Sequence, residues 1–327
     1  MSAPPPHPRE VFDYLGDGAP ERAFLSAMTR GRLHHAWLLT GPEGIGKATF
    51  AYRVARRLLG ARSAPALGLL GAGPDDPVSR QIIARAHPDL LALQRDPEDG
   101  KTRRGIPVDE ARGLPDFFSK SPATAPYRVA IIDTADDLNV NAANAVLKTL
   151  EEPPERGVLL LISHAPGALL PTIRSRCRQL RFSPPEAGAA AAWVAEKAEV
   201  SLVDAGRLLQ MARHSPGQAW RLADQGALDV DHAAGEVMDH LPKMDDTAML
   251  KLADSFRGPA GAARFNLFFD RLAARIHALA LSLDRDRAAP WADIWSEIVD
   301  LPRQAEAVNL DRADVLYTAL ARLRAIR

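Results

Sequence analysis

Ala36-Trp37-Leu38-Leu39-Thr40-Gly41-Pro42-Glu43-Gly44-Ile45-Gly46-Lys47-Ala48-Thr49 is the stretch whose reading decides the fold. A short apolar run stops at a glycine-rich turn, a lysine follows, and an amphipathic segment begins. That is the strand, loop and helix order of a phosphate-cradling P-loop. Gly41, Gly44 and Gly46 let backbone N–H groups face phosphate oxygens, and the helix that follows adds its positive N-terminal end. Lys47 would reach the β- and γ-phosphates. The pattern next calls for a Ser or Thr whose hydroxyl ligates magnesium, but position 48 is alanine. Thr49 comes one residue late, which on a helix turns its side chain about 100° away. The loop can hold a nucleotide, but its metal site is damaged. Taken alone, the stretch also fits a glycine-rich strand–helix turn with no ligand.

The chain has 327 residues, enough for two or three domains with proper cores. Its 41 basic and 41 acidic residues balance, so no global field recruits nucleic acid. Any DNA contact must come from a local patch or from a larger assembly. A single cysteine, Cys177, excludes an internal disulfide and suits a reducing compartment. The first residues carry no basic-then-apolar secretion signal, and no apolar run approaches the ~20 residues of a membrane helix. The expectation is a soluble cytoplasmic protein.

Residues 1–10 read as a mobile tail, and Val11, Phe12 and Leu15, then Ala23, Phe24 and Met28, have helical spacing that suggests a short helix delivering the chain to the first strand. His34 and His35 have no third ligand nearby and read as packing residues. After the P-loop, Phe50, Val54 and Leu58 form an apolar stripe, with Arg53, Arg56 and Arg57 on what reads as a solvated face. Residues 60–86 are irregular, then helical, and their sequence suggests no role. Leu90–Leu93 reads as a strand, residues 95–104 as a charged loop around Gly100, and Val108–Phe118 as a helix.

Arg128–Asp133 is a buried-type strand ending in a carboxylate. Beside a P-loop such an aspartate holds magnesium, directly or through water. Asn139 caps a helix through Leu150. Val158–Ser163 and Gln179–Phe182 complete a set of strands that alternate with helices, the pattern of a parallel sheet covered on both faces. Beyond Pro184-Pro185 only helices are expected. Ser201-Leu202-Val203-Asp204 reads as a capping box, Ser215-Pro216-Gly217 as a helix start, and Asp311 as the last cap. Apolar stripes at Phe265, Phe268, Leu272, Ile276 and Leu279, and at Trp291, Ile294, Trp295 and Ile298, read as core or subunit seam.

Asn144-Ala145-Val146-Leu147-Lys148-Thr149-Leu150-Glu151-Glu152-Pro153-Pro154, followed by Ser175-Arg176-Cys177, resembles the clamp-loader subunits of replicative DNA polymerases. The match covers nearly all of residues 30–183 with the motifs in the same order. The resemblance implies an α/β P-loop (AAA+) domain over 1–183, a three-helix lid over 184–228 and an all-α collar over 229–327. It also implies a five-subunit ring that opens a sliding clamp and places it on primed DNA. The implied partners are the gamma/tau motor subunits, the delta subunit, the clamp, and primer-template DNA gripped by its backbone. Within the family the chain is most similar to the delta-prime branch of bacterial DNA polymerase III.

Three departures separate it from the motor subunits. Ala48 replaces the magnesium-binding hydroxyl. Thr134 replaces the family's catalytic glutamate, and a hydroxyl cannot accept a proton at neutral pH. Gly217, in His214-Ser215-Pro216-Gly217, stands where a lid arginine would sense the γ-phosphate; Arg221 is one turn too late. The resemblance thus implies a subunit that does not turn over ATP on its own, although ATP or ADP could still sit in a degenerate site of Gly41, Gly44, Gly46, Lys47, Thr49 and Asp133. It assigns Arg176 as a finger acting in trans on a neighbour's nucleotide, with Arg174 and Arg178 as fallbacks and Cys177 as a small buried residue. No zinc is expected, since residues 60–86 lack the four-cysteine module of many relatives, and no other metal site is expected. The competing enzyme reading is an active gamma/tau-like ATPase, with Thr49 or water covering for Ala48 and Asp136 as base. A P-loop nucleotide kinase is a third reading, which leaves the helical C-terminal third and Ser-Arg-Cys without a role.

Overall fold

The computed structural model describes residues 5–16, 18–95, 97, 98, 101, 102 and 105–326. The chain divides into two compact units, one running to Trp220 and the other starting at Arg221.

Five parallel strands build the first unit: β1 (Ala36–Thr40), β2 (Leu90–Gln94), β5 (Arg128–Asp133), β6 (Gly157–Ser163) and β7 (Arg178–Arg181). Their order is β2-β5-β6-β1-β7, which puts β1 between β6 and β7. A separate two-residue hairpin, β3 (Pro97–Glu98) with β4 (Lys101–Thr102), follows β2. The expected charged loop around Gly100 otherwise lies outside the described residues.

Successive strand residues point to opposite faces, and both faces are covered. Trp37 and Leu39 pack with Val129, Ile131, Leu160 and Ile162 under Phe50, Val54 and Leu58 of α2 (Lys47–Leu58). Ala36 and Leu38 pack on the other side with Ala130, Ile132, Leu159 and Leu161. There they meet Ala111 and Leu114 of α4 (Val108–Ser119) and Val146 and Leu150 of α5 (Val140–Glu151). Two-sided burial is why β1, β5 and β6 read as unbroken apolar runs. β2 lies at the sheet edge, and Leu93 is its only buried residue.

α1 (Ala19–Thr29) precedes β1, and Phe24 rests on Trp37 at 4.9 Å between ring centroids. α3 (Pro77–Ile83) falls in the helical part of 60–86, and α6 (Pro171–Arg176) sits between β6 and β7. After β7 come α7 (Ala187–Ala198), α8 (Leu202–Met211) and α9 (Pro216–Asp224). Ser201 caps α8 through the Asp204 amide, and Asn139 caps α5 through the Ala142 amide at 3.0 Å.

Two expectations are corrected here. The Arg53 and Arg56 side of α2 is not solvated: these arginines are 2% and 1% exposed. Arg53 pairs with Glu21 at 2.8 Å and also donates to the carbonyls of Phe12 and Leu67. Arg56 donates to Arg9 O and stacks on Phe12 at 4.3 Å. Only Arg57 is half-buried, donating to Ala61 O at 2.6 Å. The N-terminal segment is correspondingly placed from residue 5 onward, with a 3-10 turn at Pro8–Glu10 and Arg9 buried. Residues 1–4 lie outside the described residues. Residues 60–76 also find a role: Leu70 is buried, its amide bonds Glu21, and the segment closes over the buried pair.

The second unit is helical: α10 (Ala227–His240), α11 (Asp246–Asp254), α12 (Gly258–Ser282), α13 (Arg285–Ala307) and α14 (Arg312–Ile326). Among the described residues no strand follows β7. Phe265, Phe268, Leu272 and Ile276 of α12 are buried, as are Trp291, Ile294 and Ile298 of α13 and Leu316, Leu320 and Leu323 of α14. Trp295 leaves the expected stripe; it is 37% exposed and meets His277 at 5.5 Å. Asp311 caps α14 through the Ala313 amide at 2.8 Å. No described helix is long and apolar enough to cross a membrane.

Candidate functional site

The loop leaves β1 at Gly41, where an added Cβ would stand 2.5 Å from Phe182 O. Gly44 adopts φ +73 and Gly46 φ +95, and Gly46 forms the N-cap of α2. Ile45, 5% exposed, anchors the turn in the core. Ala48 packs against that core, and Thr49 is half-buried one position further along the helix.

Lys47 does not project into an open cradle. It is 3% exposed, and its Nζ donates to Gly41 O at 2.6 Å and Pro42 O at 2.5 Å. Burial pulls its ammonium down to about 8, against the opposing pull of Asp133, Asp136 and Glu43. The structure therefore brings Gly41, Gly44, Gly46, Lys47 and Asp133 into one neighbourhood, but the loop's own carbonyls hold the lysine that a phosphate would take.

Past β5, the carboxylates are committed to the fold. Asp136 accepts from Ser163 Oγ at 2.7 Å and from the His164 and Ala165 amides at 2.5 and 3.4 Å, all at the end of β6. Asp137 accepts from the Thr134 hydroxyl at 3.1 Å and pairs with Arg95 at 2.7 Å. Asp136 thus takes one O–H and two N–H donors from the end of β6, which fixes its carboxylate against that strand end. His164 is held below its ordinary pKa by burial and then by the Lys47 charge.

The start of α9 meets this loop backbone to backbone. Gly217 N–H donates to Gly44 O at 2.9 Å. A Cβ on Gly217 would stand 2.8 Å from that oxygen, and one on Gly44 would stand 2.6 Å from the Gln218 nitrogen. No side chain fits between them without displacement, so an arginine at position 217 would require a different approach of α9.

Arg176 is not part of this cluster. It ends α6, donates to Thr172 O at 3.3 Å and meets Glu151 at 3.1 Å, with the two side chains 38% and 53% exposed. Glu151 belongs to the Leu-Glu-Glu-Pro-Pro run, so both motifs that carry the family resemblance meet at this contact. Arg178 lies over the Trp37 ring at 4.8 Å. Cys177 is half-buried, and burial pushes its thiol up to about 12, which leaves it inert as a nucleophile.

Sequence reading missed the carbonyl partners of Lys47, the ties of Asp136, and the Glu151 contact. Motif spacing signals none of these, because each depends on how separate turns close in space. Asp136 alone had a signal, in being one of two adjacent acids directly after a strand end.

The chain matches the family model described as DNA polymerase III, delta subunit over residues 18–186. It is 37% identical over 261 residues to the DNA polymerase III subunit delta' of Pseudomonas aeruginosa, covering 78% of this chain and 76% of that one. It is also 35% identical over 170 residues to the gamma subunit of Buchnera aphidicola, covering 52% of this chain and 44% of that one. A Thermotoga maritima protein related to the gamma subunit superposes with a TM-score of 0.46 at 20% identity, covering 93% of this chain and all of the other. With a family model over its first half and a delta' relative matched along most of both lengths, the chain belongs to the delta-prime family of DNA polymerase III clamp-loader subunits.

Proposed function

We propose that this subunit does not hydrolyse ATP and serves as a rigid member of the clamp-loader ring, lending Arg176 to the nucleotide site of an adjacent gamma/tau motor subunit. The observation that carries the reading is a contrast between two cations. Lys47 is buried and bound to its own loop, whereas Arg176 stands partly exposed in a contact of small worth. A guanidinium in such a contact can exchange one exposed carboxylate for a phosphate, to which its forked donors are suited. Absence of a magnesium hydroxyl at Ala48 and of a glutamate at Thr134 supports the same division of labour. The delta subunit, the sliding clamp and primed DNA are then partners through the assembled ring. ATP or ADP is at most a structural ligand, because the residues present do not fit a metal-bound triphosphate in this closed arrangement.

Two measurements test this. The isolated chain, with magnesium and primed DNA, is expected to release no phosphate from ATP above background. A ring reconstituted with motor subunits, delta, clamp and primed DNA is expected to hydrolyse ATP, and Arg176→Ala should slow the site it serves by ~10³-fold or more. An unchanged rate in the Arg176→Ala ring, or turnover by the isolated chain that Lys47→Ala abolishes, would overturn the reading.

A further inference from the structure

The segment Val11–Gly16 closes a circuit of contacts around the phosphate loop. Its base is fixed from below: buried Arg53 donates to Phe12 O, and buried Arg56 stacks on the Phe12 ring at 4.3 Å. Its middle lies over the loop, where the Tyr14 ring passes 3.5 Å from the position of a Cβ on Gly46 and leans on Phe50 at 6.2 Å. Its outer side grips α7. Asp13 accepts from Trp193 Nε1 at 3.2 Å and pairs with Lys197 at 3.1 Å. Trp193 then meets Trp220 of α9 edge-on at 5.6 Å, and the N-terminus of α9 returns to the loop through Gly217 N–H to Gly44 O.

We propose that Val11–Gly16 is a strap that holds the α7–α9 layer closed on the P-loop, and that an adenine nucleotide's phosphates reach the loop only in the minor population where the strap has let go. The two ends of the circuit differ in strength. The arginine end is buried, whereas the Asp13–Lys197 contact is 45% and 28% exposed, so the grip on α7 yields first. Opening there frees Gly44 O and uncovers the loop in which Lys47 is held. A ligand that binds only the open form has its apparent affinity reduced by the fraction open. The strap thus sets how strongly this degenerate loop ignores nucleotide. Arg176 has no part in the circuit, so this proposal and the finger assignment fail independently.

The test uses the full-length chain, hydrogen exchange at the Gly217 amide, and binding of a ribose-labelled fluorescent ADP with unlabelled pyrophosphate as competitor. Asp13→Ala removes both grips on α7. It should speed exchange of the Gly217 amide by about three- to tenfold, the combined worth of an exposed ion pair and one hydrogen bond. Fluorescent ADP affinity should rise by the same factor, since both report the open fraction, and pyrophosphate should compete. Lys197→Met should move both readouts in the same direction by a smaller factor, and it carries the test alone if Asp13→Ala does not fold. Wild-type exchange in these variants, or faster exchange with no gain in nucleotide binding, overturns the proposal.

Discussion

Arg53 and Glu21 meet at 2.8 Å with side chains 2% and 5% exposed, and the rest of the α2 surroundings are arranged to satisfy them. Phe12 O and Leu67 O take two further guanidinium donors, and the Leu70 amide reaches Glu21 at 3.4 Å. A buried pair adds little net stability over a well-packed apolar substitute, but removing one partner strands the other charge. Glu21→Ala should therefore cost about 3–5 kcal/mol, read as a fall in the urea midpoint at unchanged slope. The double change Glu21→Leu with Arg53→Met should recover a large part of that loss. If Glu21→Ala alone proved neutral, the pair would not be what holds residues 60–70 in place.

α5 carries both the family's signature run and the carboxylate that meets Arg176, so its start and end matter in different ways. Its start depends on Asn139, whose side chain accepts from the Ala142 amide. Asn139→Ala should cost about 1 kcal/mol, whereas Asn139→Asp should be neutral or slightly stabilising because a negative charge suits a helix N-terminus. Chemical denaturation of the two variants checks the order. This cap was legible in the sequence, as were β1, β5 and β6, because local hydrogen bonding and two-sided burial leave marks on neighbouring residues. Arg53 and Arg56 were not legible. An amphipathic pattern tells which side of a helix is apolar, but not that residues 9–12 and 60–70 will cover the other side with carbonyls aimed at it. The P-loop lies between these cases. Gly41, Gly44, Gly46 and Lys47 announced the turn, but the direction Lys47 takes depends on backbone closure that no spacing encodes.

Across the whole molecule, His7, His35, His87 and His164 are all held below their ordinary pKa, in each case first by burial. The unfolded chain therefore binds more protons than the folded one once pH drops below about 6.5, and stability must fall with pH from there. Urea midpoints are expected to decline as pH falls from 6.5 to 5.5, before most carboxylates titrate. A flat profile across that window would mean that the four imidazoles are hydrated in solution. A last consequence follows from the strand order. β7 ends the sheet next to β1, with Arg178, Gln179 and Arg181 exposed and only Leu180 turned inward. An open strand edge invites a second copy to add its own strand, and charged side chains along it discourage that pairing. The arginines that follow Arg176 therefore put charge along this edge, which disfavours strand addition there by a second copy.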